Sequence, residues 1–297
     1  MNGYHTPFIV AEVGGNHLGD SQRALDLIVA AHHAGADAVK FQCFEAEQMA
    51  DAGKVIERGP WAGRNMVDLY WETHTPKHWF PKLFAGARAC GMVPFASVFH
   101  PDDVDFMLTL GCDIFKISSF EITDTNLIAY AASKGKPLII STGMATFEEI
   151  EQACDAAFEG SPGPAGVNVT LLKCTSAYPA TAAEANLATM KAMQERLIWL
   201  GAPDFGLSDH TLGLGVAAAA TALGASVIEK HLTIRRSDGG PDASFSLEPE
   251  EFRQMVDTCR EAAQAVGEVR YGPTPAEASS LPLRRPPGGK RGDIHGL

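Results

Sequence analysis

Short apolar runs rich in β-branched residues recur along the chain, each preceded by a helical stretch and a glycine or tight turn and followed by small polar or charged residues. Eight stand out: Pro7 to Val13, Ala38 to Cys43, Val93 to Phe99, Ile114 to Ser118, Leu138 to Thr142, Val169 to Thr175, Phe205 to Asp209 and Val227 to Thr233. Strands that alternate with helical segments predict a parallel sheet covered on both faces. Glycines 35, 91, 111, 135 and 224 precede five of the runs, the place where a helix C-cap feeds a short connection into a strand. Eight such units close naturally into a (β/α)8 barrel, an α/β fold of the TIM-barrel type. An open doubly wound sheet is the runner-up, disfavoured because no Gly-x-Gly-x-x-Gly follows the first run.

The repeat is interrupted between the second and third runs by a long excursion, Glu45 to Gly91, containing Gly59-Pro-Trp-Ala-Gly63 and Asp68-Leu-Tyr-Trp-Glu-Thr-His-Thr-Pro76. Segments of this length in compact domains serve as lids or binding elements, so it is expected to cover a site. Ser246-Leu-Glu-Pro-Glu-Glu opens the last helix, with Ser246 the expected N-cap and acidic residues in the first turn. The barrel is expected to fill residues 1–269. From 270 to 297 the chain turns to Pro, Gly, Ser and Arg, a composition that cannot build a core and predicts a flexible tail.

Composition narrows the function. With 45% hydrophobic and 20% charged residues the chain reads as an ordinary soluble protein, and its net charge of -12 argues against nucleic acid or an anionic membrane as partner. A small anionic substrate remains compatible, because a few lysines focused in one cleft outweigh a distant negative surface. Six scattered cysteines without Cys-x-x-Cys predict reduced, mostly buried thiols. No signal-like N-terminus or membrane-length apolar run is present, which places the protein in the cytoplasm.

Chemistry in a parallel barrel gathers at the C-terminal ends of the strands. Glu12 and Asn16-His17 follow the first run, Lys40 and Gln42 end the second, Ser97 the third, and Lys116, Ser119 and Glu121 the fourth. Ser141 and Thr142 end the fifth, Thr175, Ser176 and Tyr178 the sixth, and His210 and His231 the seventh and eighth. Two lysines among hydroxyls suit a carboxylate plus a phosphate. Two imidazoles on neighbouring strands suit a divalent metal with open positions for water and substrate; the plainer alternative is one core histidine and one solvated one. Glu12 and Glu121 read either as an acid/base or hydroxyl-binding pair or as ion-pair partners of Lys40 and Lys116. Lys173 and Glu229 fall inside their runs and are given orienting roles. Asp242, in the Gly-rich loop Asp238-Gly-Gly-Pro-Asp242, either reaches over the site or belongs to an ordinary turn.

With these residues in view, the chain resembles the sialic acid synthase family, phosphoenolpyruvate-condensing enzymes that make nine-carbon sugar acids. The resemblance runs through nearly all of residues 7–275. It rests on Ile9-Val-Ala-Glu-Val-Gly-Gly-Asn-His17, Val39-Lys-Phe-Gln42, Phe115-Lys-Ile-Ser-Ser-Phe-Glu121, Ile140-Ser-Thr-Gly-Met144, Ser208-Asp-His-Thr211, Glu229-Lys-His231 and Phe245-Ser-Leu-Glu-Pro249. Leu172-Lys-Cys-Thr-Ser-Ala-Tyr-Pro179, Arg235 to Ser246 and the Trp61 to Pro76 segment look most like the pseudaminic acid synthase branch.

The resemblance implies that His210 and His231 hold a divalent metal, manganese, as a Lewis acid for the aldehyde of an open-chain sugar. It gives phosphoenolpyruvate to Lys40, Ser97, Lys116, Ser119, Ser141, Ser176 and Ser208, and the sugar to Glu12, Gln42, Tyr178 and Asp242, with Glu121 near the reacting centre. C3 of phosphoenolpyruvate would attack the aldehyde, water would add at C2, and phosphate would leave. The implied acceptor is 2,4-diacetamido-2,4,6-trideoxy-altrose, giving pseudaminic acid, and the implied assembly a homodimer. Alternatives are N-acetylneuraminate synthesis from N-acetylmannosamine, and a ligand-binding barrel that partners a full-length synthase. Two departures are visible: Val98 and His100 stand where the family shows proline and aspartate, so the third strand end is expected to be reshaped. The residues after the barrel do not resemble the small antifreeze-like domain that follows it in the family.

Overall fold

The computed structural model describes residues 6–51, 53–163, 166–197, 204–285 and 287–288. Eight strands follow one another round a closed barrel: β1 (Phe8–Glu12), β2 (Ala38–Cys43), β3 (Val93–Val98), β4 (Phe115–Ile117), β5 (Leu138–Ser141), β6 (Val169–Cys174), β7 (Asp204–Asp209) and β8 (Val227–His231). All pairings are parallel, and β1 closes on β8 with Glu12 opposite His231. The fold is thus the (β/α)8 barrel that the alternation of runs predicts. Glycines 35, 91, 111, 135 and 224 all have positive φ, as helix-ending residues ahead of a strand require.

Helices α1 (Ser21–His33), α4 (Phe80–Ala89), α5 (Pro101–Thr109), α6 (Thr125–Ala132), α7 (Phe147–Gly160), α8 (Ala188–Arg196), α9 (Gly215–Ala222) and α10 (Pro249–Val266) surround the barrel, each buried along one stripe. In α1 the stripe is Ala24, Leu27, Ile28 and Ala31, spaced three and four apart, and Asp20 caps the helix by accepting the Gln22 amide at 2.7 Å. In α7, Thr146 and Glu149 form a capping box. The extra helices α2 (Ala46–Met49) and α3 (Met66–Thr73) belong to the excursion after β2.

Strand alternation sorts the chemistry. On β2, Phe41 points outward to stack on Phe84 and meet Phe80 edge-on, both of α4, leaving its neighbours Lys40 and Gln42 for the interior. On β8 the same alternation sends Glu229 and His231 inward and Lys230 outward.

One sequence expectation is corrected. Ser246 does not cap the last helix, which begins at Pro249, a residue suited to a first helical position because its missing N–H needs no partner. Ser246 is instead buried, donating to the Asp242 carbonyl at 2.7 Å and accepting from Asn16 Nδ2 at 2.8 Å. The barrel unit ends with α10 at Val266, and the chain from Gly267 forms a separate unit. Within that unit Pro275–Leu283 is a 3-10 helix with no buried residues, opened by Thr274, Pro275 and Glu277, whose carboxylate accepts the Thr274 amide at 2.7 Å. Residues 286 and 289–297 of the expected tail lie outside the described residues. Among the described residues the six cysteines are free, five of them buried, and no helix is long and apolar enough to cross a membrane.

Candidate active site

A cavity of about 650 Å³ opens at the C-terminal ends of the strands, and the fourteen side chains that the family resemblance gives to metal, substrates or the reacting centre all line it, whereas Asn16, His17, Thr142 and Thr175 do not. Its floor is charged. Lys40 Nζ lies 2.6 Å from Glu12 Oε2, 3.6 Å from Glu229 Oε1 and 3.0 Å from Ser97 Oγ. Gln42 donates to the other oxygen of Glu12 at 2.9 Å, and Ser208 donates to Glu229 at 3.0 Å. For Glu12 the ion-pair alternative is therefore the arrangement found. Burial alone would lower the proton affinity of Lys40, but the two flanking carboxylates hold it above its ordinary value. The carboxylates are driven apart: burial and the charge of Glu229 raise Glu12, whereas Lys40 and Lys116 overcome burial at Glu229 and lower it.

Lys116 is placed differently. It is 2% exposed and donates to Ser141 Oγ at 2.8 Å and to the Ile117 carbonyl at 2.9 Å, with no carboxylate in ion-pair contact among the described residues. Burial, helped by repulsion from Lys40, lowers its proton affinity despite the pull of Glu229. Beside it Ser119 and Ser176 share a hydrogen bond of 2.8 Å, and Glu121, bonded to Ser118, is raised by burial. Val98 is fully buried, Ser97 reaches Lys40, and His100 caps α5 by accepting the Asp102 amide at 3.2 Å.

The opposite side of the cavity is aromatic. The His210 and His231 ring centroids are 5.6 Å apart, with Tyr178 4.3 Å from His210 and Phe245 5.0 Å from His231. His210 Nδ1 lies 2.9 Å from the Thr175 carbonyl, which leaves Nε2 for a ligand. His231 Nδ1 is buried without a hydrogen-bond partner, and burial together with His210 holds this imidazole well below its ordinary value, so it is a neutral lone-pair donor. Among the described residues no three His, Cys, Asp or Glu side chains converge as a metal cluster. The orphaned His231 Nδ1 and the His210 Nε2 left clear of the Thr175 bond are donors of the kind that a borderline divalent ion takes, its shell completed by water or substrate oxygens.

Asp242 joins this side. Its Oδ2 accepts the Gly15 amide at 2.8 Å and sits 3.8 Å from His231 Nδ1, and burial pushes it up to about 6. A Cβ at Gly14, where φ is +50°, would lie 2.3 Å from that oxygen, so only glycine allows the approach.

The excursion after β2 forms the outer wall, with Met49, Ile56, Met66 and Leu69 giving it an apolar surface. Trp61 fastens it across the barrel mouth: its Nε1 donates to the Pro241 carbonyl at 3.1 Å and its ring packs on Tyr178 at 5.4 Å.

Alternation also shows what the sequence reading missed. Glu229 is two residues before His231 and so shares its inward face. Lys173 precedes inward-facing Cys174 and points away, donating to the Cys174 carbonyl at 2.6 Å. The i, i+2 parity was present in the sequence; the weight placed on run ends hid it.

Residues 27–271 match the NeuB family. The chain belongs to that family. It is 37% identical over 265 residues to the pseudaminic acid synthase of Campylobacter jejuni, spanning 88% of this chain and 75% of that protein. It is also 37% identical over 287 residues to the N,N'-diacetyllegionaminic acid synthase of Legionella pneumophila, spanning 94% and 78%. Among solved structures, the N-acetylneuraminic acid synthetase of Leptospira borgpetersenii in complex with citrate superposes with a TM-score of 0.81 at 30% identity, covering 93% of this chain and 91% of that one. These NeuB relatives are synthases, and the protein is accordingly an enzyme of the transferase class.

Proposed function

We propose that this NeuB-family enzyme condenses phosphoenolpyruvate with the open-chain form of 2,4-diacetamido-2,4,6-trideoxy-altrose, giving pseudaminic acid and phosphate. The observation that carries the reading is the union, in one cavity, of a buried lysine-and-hydroxyl half with an imidazole-and-aromatic half. An anionic enol donor suits the first and a carbonyl acceptor the second.

Lys116 with Ser141, and Lys40 with Ser97, hold the carboxylate and phosphate of phosphoenolpyruvate and compensate their charge throughout. His210 and His231 hold the divalent ion, manganese in this reading, which when bound supplies Lewis acidity for the sugar aldehyde. Tyr178, Trp61 and Phe245 hold the sugar against that side and exclude water from it. C3 of the enol attacks the aldehyde carbon, and the new C–C bond leaves a cation at C2. Water adds there and loses one proton to Glu12, the carboxylate of the floor with the raised proton affinity. That proton is passed on to the alkoxide left at the former aldehyde oxygen, and the C2 hydroxyl gives its own proton to the phosphate group as the C2–O bond breaks and the ketone forms. Phosphate then departs with its bridging oxygen.

The apolar outer wall favours an acceptor with a deoxy carbon and acetamido methyl groups over a hydroxyl-rich one. Scattered, mostly buried free thiols are in keeping with a cytoplasmic setting, which is part of this reading. Purified protein with phosphoenolpyruvate and Mn2+ is expected to release phosphate about tenfold or more faster, in kcat/KM, with the diacetamido-trideoxy sugar than with N-acetylmannosamine. Equal turnover with both, or none with either, contradicts the acceptor assignment.

A further inference from the structure

Two residues of the histidine motifs are unused by this mechanism: Asp209, just before His210, and Lys230, just before His231. Strand alternation turns both away from the cavity, into the layer between barrel and helices, where Lys230 is 0% and Asp209 2% exposed. They stand directly opposite each other in the β7–β8 register. Lys230 Nζ lies 2.6 Å from Asp209 Oδ2, bonds the Thr211 carbonyl, and reaches the Gly213 carbonyl at 3.4 Å. The second oxygen of Asp209 accepts the Thr211 amide at 2.9 Å. One ammonium, on the residue that precedes His231, therefore holds the side chain just before His210 and the backbone carbonyls just after it.

A buried ion pair of this kind contributes little net stability. Removing two charges from water costs about as much as their attraction returns, and apolar replacements of similar volume are often neutral or stabilising. Its value lies in fixing one arrangement of the groups it holds. The groups held here are the two strand ends that carry the imidazoles, and neither Asp209 nor Lys230 lines the cavity.

We propose that the Asp209–Lys230 pair is a positioning element that sets the His210–His231 separation so that both imidazoles reach one divalent ion. The proposal rests on the reading of the two histidines as metal ligands. It predicts that losing the pair weakens metal binding while leaving the lysine half of the cavity intact.

The test is the double variant Asp209→Leu/Lys230→Met in the full chain, with Asp209→Asn/Lys230→Gln as a second version that keeps polar groups in place. Free Mn2+ is measured by electron paramagnetic resonance, folding by thermal melting, and phosphoenolpyruvate binding by calorimetry. Expected are a melting temperature close to that of the unaltered protein, a Mn2+ affinity lowered about tenfold to a hundredfold, and unchanged phosphoenolpyruvate affinity. A folded double variant that binds Mn2+ as tightly as the unaltered protein overturns the proposal. So does failure of both versions to fold, since the pair would then be a stability element. If the unaltered protein itself binds no Mn2+, the metal reading of the histidines falls, and this inference with it.

Discussion

Lys116→Met is expected to raise the melting temperature of the ligand-free protein by a few degrees while raising KM for phosphoenolpyruvate about 10²- to 10³-fold. The two effects share one cause. Lys116 is an ammonium group at 2% exposure whose direct partners are a hydroxyl and a carbonyl. Burial lowers its proton affinity, so at neutral pH its charge costs the folded state free energy that a methionine of similar volume does not. That cost is recovered when an anion arrives, which is the reason to keep a charge there. Thermal melting and steady-state kinetics of the one variant check both halves. A variant that melts lower and keeps its KM would show Lys116 to be structural.

His231→Ala is expected to abolish Mn2+ binding and lower kcat about 10³-fold, the several kcal/mol that a Lewis acid contributes, with phosphoenolpyruvate binding retained. The retained binding distinguishes it from Lys116→Met, because the imidazoles sit on the aromatic side of the cavity and the lysines on the charged floor. The buried His231 imidazole, whose Nδ1 has no hydrogen-bond partner, is the group whose loss matters, and its low proton affinity keeps it available without competition from protons. Treating the unaltered protein with a chelator should reproduce the variant's turnover. Full activity in either case, with metal content verified, would remove metal from the account.

The barrel was legible because its signal is repeated: a β-branched run eight times over, five times after a glycine, leaves few closed topologies. The strand-end residues were legible because parallel strands carry their C-terminal ends to one rim. The face each residue takes was not read fully. Glu229 and His231 differ by two positions and share the interior, whereas Lys173 and Lys230 are one position out of phase and leave it. Ser246 followed the local rule for an N-cap and was overruled by Asn16 and Asp242, partners distant in sequence or across a turn. The outer wall was legible only as an excursion. Its placement depends on contacts such as Trp61 to Pro241, 180 residues apart, which no periodicity announces.

The reaction itself is tested most directly with phosphoenolpyruvate labelled with 18O in the bridging oxygen, incubated with the protein, Mn2+ and the diacetamido-trideoxy sugar, and followed by mass spectrometry. Addition of water at C2 and departure of phosphate by C–O cleavage predict that the label leaves in the phosphate, together with a nine-carbon sugar acid that carries none. Label retained in the sugar acid, or phosphoenolpyruvate that is not consumed, would contradict the account.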